Sequence, residues 1–89
     1  MVSIAKQKFR ETISWLKDQD YQGHLKPFII YCEKQLEFFS DGISDPSTVR
    51  GITGAAFRYL DEFDVEARIR QTLNDKFNEI DRVAGDNRI

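Results

Sequence analysis

No glycine or proline stands between Ala55 and Ala84, so helix propensity alone allows this stretch to form one long rod. The hydrophobic phase forbids it. Val49, Ile52, Ala56, Leu60 and Phe63 recur at helical spacing, and continuing that stripe by sevens puts Glu66 and Arg70 in the core. Val65, Ile69, Leu73, Phe77, Ile80 and Ala84 form a clean stripe in a different phase. A turn near Glu62 to Asp64 repairs the slip. Asp64 then caps the following helix, and Glu66 lies in its first turn, where the macrodipole favours negative charge.

The same spacing defines two earlier helices. Helix 1 is expected from about Ser3 to Asp18, with Val2, Ala5, Phe9, Ile13 and Leu16 on one face. Ser3 can cap its first turn, and Gly23 supplies the left-handed residue such exits use. Helix 2 is expected from Leu25 to Ile43, opening around Lys26 or Pro27, where proline costs no intrahelical bond. It stops at Ser40-Asp-Gly42. Ile43-Ser-Asp-Pro-Ser then marks a boundary, with Ser44 or Asp45 as cap and Pro46 at the first helical position. The tail from Gly85 onward is expected to fray. Four amphipathic helices with short connections predict an all-α, antiparallel four-helix bundle in a single domain.

Composition narrows the functional classes. The 89 residues carry 13 basic and 15 acidic side chains, a net charge of −2, so bulk charge drives binding neither to nucleic acid nor to an anionic membrane. The lone Cys32 forms no intramolecular disulfide and implies no oxidising compartment. The opening residues lack the apolar core of a signal peptide, and no run approaches a membrane span. A soluble cytoplasmic protein is expected.

Chemistry-bearing motifs are scarce. His24 is the only histidine, so a two-histidine metal site cannot form. His24 and Cys32 could pair as base and nucleophile, but Cys32 sits in the core stripe of helix 2, where thiols are buried and inert. Asp61, Glu62, Asp64 and Glu66 cluster at the last turn, without the spacing or glycine of a calcium loop. Capping explains them without a metal. Gly51-Ile-Thr-Gly54 lacks the preceding strand and the Lys-Ser ending of a phosphate loop. No enzyme, cofactor or metal is expected.

Three surface features point to contact. Leu25, Ile29, Cys32, Leu36, Phe39 and Ile43 make one stripe on helix 2, and Phe28, Tyr31 and Phe38 make a second beside it. Together they cover about half the helix circumference, where roughly a third suffices for one bundle face. Either helix 2 is central or another chain covers it. Trp15 projects well away from the stripe of helix 1, and tryptophan is enriched at binding hot spots. Gly51 and Gly54 face away from the stripe of helix 3, although each costs about 1 kcal/mol in a helix. A helix starting near Thr53 accounts for them; the alternative is close approach of another backbone. Arg50 and Arg58 flank the same face and can donate charged hydrogen bonds.

The expected function is therefore protein–protein interaction, as in adaptors, immunity-type proteins or enzyme regulators. Trp15, Phe28, Tyr31 and Phe38 form the expected contact surface, and Arg50 and Arg58 its secondary members. A homodimer packed through helix 2 is one alternative. A nucleic-acid-binding regulator using helix 4 is another, opposed by the acidic turn before that helix.

Overall fold

A computed structural model describes residues 4–19, 23–39 and 46–86 of the chain. Among these residues there are four α-helices and no strand: α1 (Ile4–Gln19), α2 (Lys26–Leu36), α3 (Pro46–Tyr59) and α4 (Ala67–Asp86). One turn of 3-10 helix, Leu60–Glu62, follows α3.

The helices form an antiparallel four-helix bundle. Each contacts its two neighbours in the ring α1–α2–α3–α4–α1, and the side-chain pairings fix the directions. Phe9 meets Phe39 while Lys17 meets Glu33, so α1 and α2 run oppositely. Phe28 meets Phe63 while Tyr31 meets Tyr59, which reverses α2 against α3. Thr53 meets Asp81 and Phe57 meets Phe77 across α3 and α4. Phe9–Phe77 and Lys8–Glu79 close the ring between α4 and α1. The molecule measures 41 × 19 × 18 Å, a cross-section of two helix diameters at ~10 Å each. Every helix therefore reaches solvent and none is central.

Phe9, Leu16, Phe28, Val49, Leu60, Leu73 and Ile80 are fully enclosed. Their spacings are those of the apolar stripes, so the periodicity that makes each helix amphipathic also fills the core. Two buried threonines are satisfied locally or across helices. The Thr12 hydroxyl donates to the Lys8 carbonyl at 2.8 Å. The Thr53 hydroxyl lies 2.7 Å from the Asp81 carboxylate, to which it donates between α3 and α4. A buried donor pinned to a charged acceptor fixes the register of those two helices more tightly than apolar contact alone.

Several boundaries differ from expectation. Helix 2 ends at Leu36 rather than near Ile43. Beyond it, the amides of Glu37, Phe38 and Phe39 bond three residues back, to Lys34, Gln35 and Leu36, the tightened geometry of a terminating helix. Phe39 is thereby turned into the core against Phe9, and Phe38 outward. Helix 3 begins at Pro46, not near Thr53, so Gly51 and Gly54 are true helix-interior residues. The phase slip between helices 3 and 4 is present, but longer than a single capped turn. Phe63 is extended at φ −117°, ψ 149°, and α4 opens only at Ala67. Asp64 is thus not its cap. The Glu66 carbonyl accepts the first helical bond, from the Arg70 amide at 3.0 Å, which places Glu66 at the cap and no acid in the first turn. Gly23 adopts the expected left-handed conformation, φ 79°, and α4 continues through Gly85 to Asp86. The expected caps Ser3, Ser44 and Asp45, the stripe residues Val2 and Ile43, and the stop at Ser40 to Gly42 lie outside the described residues.

Candidate interaction surface

The two apolar stripes of α2 have different fates. The first packs inward through Leu25, Ile29 and Cys32. The second is divided by what α3 offers opposite it. Phe28 is 0% exposed, covered by Phe63 at 5.8 Å and Tyr59 at 6.1 Å between ring centroids. It is a core residue, and its assignment to a contact surface is corrected accordingly. Tyr31 is half-buried against Tyr59, 4.7 Å away. Phe38, beyond the last turn of α2, is left 65% exposed.

Trp15 belongs to the opposite side of the bundle. It is half-buried, packed against the core, with the Lys76 ammonium 5.1 Å from its ring centre. Two turns earlier on α1, Lys8 pairs with Glu79 across the α1–α4 seam at 4.0 Å. The Glu79 carboxyl is held below the usual carboxylate range by hydrogen bonds from the Arg82 guanidinium. A cation over an indole face is a local capping contact, so Trp15 folds over a wide bundle face rather than standing out from it.

The residues expected to act together are therefore separated. Trp15 lies in the α1–α4 seam, Tyr31 and Phe38 on the α2–α3 side, and Phe28 in the core. Arg50 and Arg58 are both exposed on α3 but diverge. Arg50 precedes by one turn Thr53, which bonds to α4, whereas Arg58 follows Gly51 and Gly54 at helical spacing along the outward ridge.

On the α2–α3 side the fold brings Tyr31 against Tyr59 and leaves Phe38 exposed beyond the end of α2. Tyr31 and Phe38 stand on the α2 side; Lys34, three residues after the first and four before the second, shares their edge. Tyr59, 37% exposed, stands on the α3 side, whereas Gly51, Gly54 and Arg58 lie on the outward ridge of α3. Among the described residues, a Cβ at Gly51 or Gly54 has no heavy atom within 4 Å, so no other described element approaches there. Tyr59 is the member that stripe reading missed, because it flanks the helix 3 stripe by one position. Its signal was the pair Tyr59 and Phe63 at i, i+4, which an antiparallel neighbour brings against Phe28 and Tyr31 at i, i+3.

The chemistry-bearing residues are otherwise engaged. Burial, reinforced by the negative charge of Glu33, pushes the Cys32 thiol up to about 12, so it stays protonated at neutral pH and is no nucleophile. Asp61 is paired with Arg70 at 2.8 Å, and Glu66 with Arg68 at 3.5 Å. Among the described residues, no three His, Cys, Asp or Glu side chains converge in a way that could hold a metal ion. No helix among them is long and apolar enough to cross a membrane. No family model, curated protein or solved structure matches the chain.

Proposed function

We propose that this chain is a small protein-interaction module whose contact face is the α2–α3 surface carrying Tyr31, Phe38 and Tyr59. The observation that supports this most directly is Phe38, an aromatic ring left 65% exposed just beyond the end of α2, the helix that carries Tyr31. Burying such a ring against a partner gains roughly 25 cal/mol per Å² of apolar surface, and aromatic rings dominate interface hot spots. Tyr31 and Tyr59 suit the same role, since their rings bury while their hydroxyls stay wet. Cys32, a single reduced thiol, fits a cytoplasmic setting.

The test compares co-purification from the source cells for three tagged forms of the full chain. A protein recovered in fixed proportion with the unsubstituted chain is expected to be lost with Phe38→Ala and retained with Trp15→Ala. Equal recovery with both variants contradicts the assignment, and loss with Trp15→Ala alone moves the contact to the α1–α4 seam.

A further inference from the structure

We draw no further inference here: the strongest candidate, the exposed aromatic surface of Phe38 and Tyr59 on the α2–α3 side, carries nothing beyond the contact surface already proposed, because nothing in the structure shows what covers it.

Discussion

Phe28 and Phe38 stand ten positions apart on the same apolar stripe, yet one is wholly enclosed and the other mostly in water. The difference lies in what faces them. Phe28 meets Tyr59 and Phe63, whereas Phe38 follows the end of α2 and no other ring among the described residues meets it. Urea denaturation is therefore expected to separate them. Phe28→Ala loses about 3–5 kcal/mol through transfer and cavity terms, enough to unfold much of a domain this small. Phe38→Ala stays within about 0.5 kcal/mol of the parent. Equal losses from the two would contradict their assigned environments.

Cys32 gives a second residue-scale expectation. The native thiol is held protonated up to about 12, against an ordinary value of 9.0. As pH rises above 9, the unfolded chain sheds this proton while the native chain keeps it. Cys32 thus withdraws stability across the window from 9 to 12, because the native state then binds more protons. At pH 8 a disulfide reagent should label the native thiol about a thousandfold more slowly than the urea-unfolded one, in proportion to thiolate. Comparable rates would mean that Cys32 is accessible.

At the scale of elements, α3 carries the informative anomaly. Alanine at Gly51 or Gly54 meets open space and restricts the unfolded chain, so each substitution should raise stability by about 0.5–1 kcal/mol. A loss of stability would instead mean that the glycines are packed.

Much of this architecture was legible in the residues. The stripes of helices 1, 3 and 4 place Phe9, Val49, Leu60, Leu73 and Ile80 where the core holds them, and the phase slip correctly separates helices 3 and 4. Boundaries were less legible for physical reasons. Apolar residues continue past Leu36 without a stop, because Phe39 is core in a tight turn as readily as in a helix. Pro46 announced the start of α3, but propensity argued against the glycines that follow, and tertiary packing of Val49, Ile52 and Ala56 outweighed that cost. The proposed contact face was half legible. Tyr31 and Phe38 follow from an over-wide apolar arc, whereas sorting Phe28 inward and bringing Tyr59 in requires the α2–α3 pairing, which depends on long-range register.

For the whole molecule, a bundle only two helices thick shows every helix to solvent, so an unpaired aromatic face cannot be hidden by a central position. The most direct measurement is photo-crosslinking in the source cells, with benzoylphenylalanine placed singly at Phe38, Tyr59, Trp15 and Asn78. The account predicts one discrete adduct of the same mass from positions 38 and 59, and none from 15 and 78. Adducts confined to 15 and 78, or spread equally over all four positions, would contradict it.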